Sequence, residues 1–380
     1  MRAAFLGAAA AVLAVAPTAA QEPDSAAPAT PPPPSRPALS IKVLLDLDHT
    51  YISREEAEED PGFSLRRVRV ITQGALNDRT SIRVLLEPSG LALGPTGAAP
   101  FRGVPLVEAL VEHRILSGPV LRAGQQRLPF GLAASTGAPS LPLPEYPQAT
   151  HILIQRVSIF RDIGVSLAGR AGALELAGGI FNGAGINVPS DNNRGRDVLG
   201  RASFAFRPGL SIGASGWRGR AGELYAPDDT PRRTFHDDAR FVRWGLDARA
   251  ARGPVHLTAE YLFDRTEHNP GAVNPTPGGR DVDRAGWYAM GAYRLPGGVE
   301  LAARYDRWDP DRALSSDGST LYVGGVQWYL FETTAPDDPV LGRPLNRARS
   351  HSRLMLFAEH LDADTGPSTT TWRVRWELFY

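Results

Sequence analysis

The chain has 380 residues, with 41 basic against 41 acidic side chains, 42% apolar and 22% charged residues, and no cysteine. Balanced charge argues against a nucleic-acid partner and against a strong overall steering field, and past the N-terminus no run reaches the ~18 apolar residues a spanning helix needs. With no disulfide framework available, hydrogen bonding and burial have to hold the fold.

The opening MRAAFLGAAAAVLAVAPTAAQEP places Arg2 before an apolar stretch and small residues before Gln21. That layout reads as a secretory signal, residues 1–20, with cleavage expected after Ala20. Residues 21–39 are rich in Pro and Ala, cannot build a core, and are expected to form an extended periplasmic linker. Residues 40–380 form the body.

The body is a succession of period-two alternations. IKVLLDLDHTY sets Val43, Leu45 and Leu47 against Lys42, Asp46 and Asp48, and RRVRVITQGAL sets Val68, Val70 and Thr72 against Arg67, Arg69 and Gln73. Strands of the same kind are expected at 81–87, 106–115, 119–126, 159–169, 173–181, 196–207, 210–217, 239–251, 255–265, 284–295, 299–308, 319–331 and 352–361. The last, TWRVRWELFY, puts Trp372, Val374, Trp376, Leu378 and Tyr380 on one face and Arg373, Arg375 and Glu377 on the other. Sixteen strands follow.

The connections alternate in length. Short turns rich in Gly, Pro, Asn and Asp fall at Asn77-Asp78, 117–119, 169–172, 207–209, 251–254 and 295–298, with long polar loops between them. Tight turns on one rim and long loops on the other are the pattern of an outer-membrane barrel. The fold class is therefore all-β, a closed antiparallel transmembrane barrel with both termini on the periplasmic side. Residues 332–350 break the rule with a long insert where a turn is due, so 14 or 18 strands stay open. A soluble all-β array could alternate too. Aromatics such as Trp244, Tyr261, Trp287, Trp308, Trp328 and Trp372 fall mostly on the apolar phase or near strand ends, as interfacial girdles do, and favour the membrane.

Several stretches together resemble the phosphate-selective porin O/P family of Gram-negative outer membranes. They are GFSLRRVRVITQGALNDRTSIRV (62–84), LRAGQQRLPFG (121–131), QRVSIFRDIGVSLAG (155–169), IFNGAGINVPSDNNRGRDVLGR (180–201), VELAARYDRWD (299–309) and the aromatic C-terminus. The resemblance spans nearly all of residues 40–380. It implies a sixteen-stranded, usually homotrimeric pore in the outer-membrane lipid, with a third loop folded inward as a constriction and lumenal arginines guiding anions. That loop would be about Phe130 to Gln155. Two departures bear on phosphate: Lys42 is the only lysine, so no lysine cluster exists, and the lumenal phase carries as many acids as bases.

On that reading Arg67, Arg69, Arg83, Arg114 and Arg122, from neighbouring strands before the inward loop, would form a basic wall, and Arg373 and Arg375 line the pore from the last strand. The expected function is passive diffusion of small hydrophilic solutes, anions such as phosphate among them, with non-selective general diffusion as the alternative. Selectivity needs only pore radius and fixed charge, so no cofactor is expected. SDNNRGRD (190–197) spaces Asp191, Asn193, Gly195 and Asp197 like an oxygen-ligand loop but lacks a bidentate Glu, and reads as a braced turn rather than a metal site. The histidines show no metal-ligand spacing. His256 and His360 are lone strand histidines with no serine at a defensible spacing, so a barrel enzyme is not expected, and the loops are short for an adhesin.

Overall fold

A computed structural model describes residues 39–54, 57–88, 106–116, 118–155, 160–188, 195–220, 223–225, 231–233, 239–270, 277–334 and 348–380. The expected signal, the linker up to residue 38, and residues 190–194 of the braced turn lie outside the described residues. In chain order the strands are β1 (Leu39–Arg54), β2 (Ala57–Ala75), β3 (Thr80–Leu86), β4 (Leu106–Arg114), β5 (Val120–Arg127), β6 (Arg161–Ala171), β7 (Leu174–Phe181), β8 (Asp197–Arg207) and β9 (Leu210–Arg220). They continue as β10 (Glu223–Tyr225), β11 (Pro231–Arg233), β12 (Arg240–Arg252), β13 (Val255–Thr266), β14 (Val282–Arg294), β15 (Val299–Asp309), β16 (Ser319–Thr334), β17 (Ala348–Ala363) and β18 (Thr369–Phe379). β10 and β11 pair only with each other; the other sixteen close into an antiparallel barrel. Each of the sixteen expected strands is present.

The count of sixteen holds at the long insert as well, because β16 and β17 pair directly from Ser319↔Ala363 to Thr334↔Ala348. The barrel closes where β1 meets β18, from Leu44↔Phe379 to Arg54↔Thr369. Tyr380 completes that seam: its amide donates to the Val43 carbonyl at 2.9 Å, and the Val43 amide donates to the Tyr380 carbonyl at 2.7 Å. A closed ring leaves no ladder edge to satisfy in lipid.

Burial identifies the surroundings. On β18, Trp372, Val374 and Trp376 are 50%, 43% and 52% exposed while Arg375 and Glu377 are 0% and 1%. The same inversion holds around the ring, with Val198, Ile212, Leu246, Leu257, Leu301 and Leu356 outside and Asp46, Arg243, Asp264 and Arg304 inside. Water would penalise so wide an apolar exterior, whereas lipid solvates it. The described interior is mainly polar, apart from a small cluster of Leu85, Val107 and Ile186 and the larger apolar core that one loop makes where it fills the barrel.

Candidate functional site

That loop joins β5 to β6. After Arg127 the chain turns inward and runs through short helical turns at Leu132–Ser135, Ala138–Ser140, Gln148–Thr150 and His151–Gln155. Its low charge has a structural cause. Leu128, Phe130, Ala133, Leu141, Leu143, Tyr146, Leu153 and Ile154 bury against inward residues of the wall, among them Phe181, Trp217, Phe241, Leu262, Met290 and Trp308. Trp308 thus belongs to this interior core and not to the outer girdle.

Polar anchors fix the loop at both sides of the lumen. Near its start, the Gly131 amide donates to Ser215 Oγ on β9 (3.0 Å), and the amides of Leu132 and Ala133 donate to the Glu260 carboxylate on β13 (2.6 and 3.1 Å). Further on, the segment Leu141-Pro-Leu-Pro-Glu-Tyr has prolines that lack N–H groups, so its carbonyls need outside donors. The wall supplies them. Arg353 donates to the Leu141 carbonyl (3.0 Å), Gln327 to Pro142 (3.0 Å), Arg375 to Pro144 (3.3 Å) and Arg304 to Glu145 (2.6 Å).

These anchors carry Glu145 into a group of four arginines. Its carboxylate lies 2.9 Å from Arg375, 3.2 Å from Arg66, 3.6 Å from Arg373 and 3.9 Å from Arg67. Strict alternation would send Arg66 outward with Val68 and Val70. A β-bulge changes this: Asp46 pairs with Arg67 and Leu47 with Leu65, so Arg66 is the extra residue and reaches inward to Glu145. Burial alone would raise the Glu145 carboxyl, but Arg66, Arg375, Arg67 and Arg373 outweigh it and hold it well below its ordinary value of 4.5.

The arginines expected from sequence divide into groups. Arg67, Arg373 and Arg375 meet around Glu145, and each also faces a wall carboxylate: Arg67–Asp46 at 2.6 Å, Arg375–Asp48 at 2.6 Å and Arg373–Glu359 at 3.6 Å. Arg69 is buried against Glu87 (2.5 Å). Arg83 pairs with Glu108 (2.9 Å), which also holds Arg161 (2.8 Å). Arg122 pairs with Glu112 (2.7 Å), and Arg114 ends β4 beside the short turn, exposed; these two stand at the short-turn mouth, apart from Glu145. The two signs do not take opposite walls. They pair across neighbouring strands, and away from the inward loop the arginine is mostly the partner nearer the water: side-chain exposure is 36% for Arg83 against 6% for Glu108, 38% for Arg122 against 23% for Glu112, and 17% for Arg284 against 0% for Asp264, whereas Glu145, at 18%, is more exposed than Arg375 (0%) and Arg67 (3%) and level with Arg373 (17%).

Sequence reasoning missed Arg66, Glu145, Arg161 and Arg353. Arg353 was within reach, since SRLMLF alternates with Arg353 on the inward phase, whereas the bulge at Arg66 and the docking of Glu145 leave no local signal. Asp197, the described end of the braced turn, accepts bonds from Trp217 Nε1 (2.7 Å) and the Arg220 amide (3.0 Å). His360 Nδ1 meets Thr370 Oγ1 at 2.8 Å.

Comparison with solved structures places this architecture among bacterial porins. A loop-deletion form of Vibrio cholerae OmpT aligns with a TM-score of 0.61 and 13% identity, covering 90% of this chain and 99% of that one. An anion-selective porin from Comamonas acidovorans gives 0.59 and 12%, covering 91% and 100%. The outer-membrane channel DcaP of Acinetobacter baumannii gives 0.53 and 11%, covering 91% and 98%. At such identities the likeness concerns the fold alone. No curated protein matches the chain. The sequence itself matches the family described as phosphate-selective porin O and P over residues 45–216 and 226–335. With its closed barrel, inverted burial and inward-folded loop, the chain belongs to that family and is an outer-membrane channel.

Proposed function

We propose that the channel passes small hydrophilic solutes by diffusion and favours anions, phosphate among them. One observation carries the reading: in most of the lumenal ion pairs away from Glu145 the guanidinium is the water-facing member, while carboxylates such as Glu108 and Asp264 are withdrawn against the wall. A passing solute therefore meets N–H donors in planar forks suited to oxyanions, although the total charge is balanced. Because each arginine keeps a carboxylate partner, the preference is a moderate bias on diffusion rather than tight capture. The working unit is a homotrimer, as in the trimer form of Vibrio cholerae OmpT.

The test is the reversal potential of the refolded protein in a planar bilayer under a salt gradient, first in chloride and then with phosphate. An anion-favouring potential that the combined variant Arg83→Gln, Arg122→Gln, Arg373→Gln moves toward cations supports the reading. A neutral or cation-favouring wild type rejects it and leaves general diffusion.

A further inference from the structure

Outside the barrel, arginines gather at the long-loop rim on β8, β9, β12 and β13. Strand register sets Val198 opposite Arg218, Arg218 opposite Val242, and Val242 opposite Arg265; one step higher, Arg220 lies opposite Arg240. Facing partners project to the same side of a sheet. That side is the exterior, because Val198, Val242 and Trp244 are exposed while Asp197, Trp217, Phe241 and Arg243, in the alternate phase, are buried inside. Arg196, immediately before β8, continues the row and is exposed, as are Arg218, Arg240 and Arg265.

These charges stand directly above an aromatic belt. Trp244 stacks on Phe263 with ring centroids 5.4 Å apart and lies 5.3 Å from Tyr261. Arg265 is two residues beyond Phe263, about 7 Å along the strand. Below the belt the wall is apolar, with Phe204, Ile212 and Leu246 exposed. A guanidinium facing lipid is costly at the bilayer midplane and nearly free at its edge, so this row belongs at headgroup level. Arg265 is balanced by Asp281 (2.9 Å) and Asp283 (3.9 Å), and Arg307 on β15 by Asp364 (2.7 Å). Arg218 and Arg240 have no carboxylate partner among the described residues. Among the described residues the arginines of this row without a carboxylate partner thus lie on β9 and β12, with Arg312 beside the Phe263 ring of β13 (5.9 Å).

We infer that this sector is a binding surface for a phosphorylated glycolipid of the outer leaflet. The guanidinium row holds the headgroup phosphates in two-point hydrogen bonds, and the acyl chains lie on the aromatic and aliphatic wall beneath. Charge complementarity and vertical order select this occupant: a free anion would use the row and leave the belt idle, whereas a phosphorylated amphiphile matches both.

The experiment uses the full chain in detergent, titrated with lipid A carrying both phosphates and read by native mass spectrometry. The double variant Arg218→Gln, Arg240→Gln should need roughly tenfold more lipid A for half occupancy, since two charge-assisted contacts are removed. Lipid A stripped of its phosphates should bind both proteins equally weakly, and excess inorganic phosphate should leave bound lipid A in place. Conductance and heat-modifiable gel mobility should be unchanged in the variant, which separates lost binding from lost folding. Equal retention by both proteins, retention independent of the lipid's phosphates, or displacement by inorganic phosphate would overturn the assignment. So would loss of the oligomer in the double variant, which would make the surface a contact between copies.

Discussion

Replacing Glu145 by Gln is the sharpest perturbation of the lumen. Around Glu145 the wall supplies Arg66, Arg67, Arg373 and Arg375 against Asp46, Asp48 and Glu359, so the wild-type group is neutral and the variant carries one positive charge. The loop should keep its place, because Arg353 and Arg304 hold the carbonyls of Leu141 and Glu145, which the substitution leaves intact. Arg66 alone loses its ion-pair partner and turns to the water. A unit charge about 5 Å from a passing ion in water acts with about 0.8 kcal/mol. At about 10 mM salt, where the screening length is near 30 Å, this favours an anion roughly threefold and disfavours a cation equally. The anion-to-cation permeability ratio should then rise about tenfold over wild type in a bilayer reversal-potential measurement. At about 1 M salt, with a screening length near 3 Å, the gain should shrink below about twofold. An unchanged ratio at low salt would mean that ions do not pass the Glu145 group. A salt-independent change would mean that the loop had moved.

The same carboxyl sets a pH test. Glu145 is held well below 4.5, and a depressed carboxylate keeps its charge above the ordinary range and loses it only as pH falls through the lower, folded value. The difference in selectivity between wild type and Glu145→Gln should therefore persist from neutral pH to 4.5 and close only in stronger acid; closure above 4.5 would refute the clamp. Trp217 contacts Phe130 of the loop at 5.5 Å and Phe241 at 5.4 Å, so Trp217→Ala should cost about 3–5 kcal/mol. It should also open residues 131–150 to protease, and equal cleavage rates would show that the aromatic contact does not hold the loop. Gly131 has φ +71 and a Cβ there would sit 2.9 Å from Glu260 Oε1, so Gly131→Ala should strain the loop's first anchor by about 1–2 kcal/mol. Noisier single-channel current is the expected readout, and a quiet trace would place the anchor elsewhere.

What the sequence disclosed depended on how locally each feature is decided. A strand between lipid and water needs a different residue type at every second position, so TWRVRWELFY announces its two faces without reference to any other strand. Where both faces are wet that constraint lapses. β2 begins at Ala57, within EEAEEDPG, a stretch whose polarity and proline hide a strand that only pairing with β1 sustains. Arg66 is subtler still. Its type and position suit an outward turn of the pleat, and only the slip in pairing between Asp46 and Leu47 brings it inside. The loop lies at the far end of this scale. The resemblance gave its bounds and its inward course, but Leu141 meets Arg353 and Glu145 meets Arg375 across more than half the chain. Contacts so distant have no periodicity to betray them. Selectivity therefore escapes composition: the balanced count of acids and bases is compatible with either ion preference, and the outcome turns on which partner of each pair stands nearer the water. Moving one carboxylate, Glu145, from the centre of its arginines would change the pore without changing any pattern that a reading of the strands could detect.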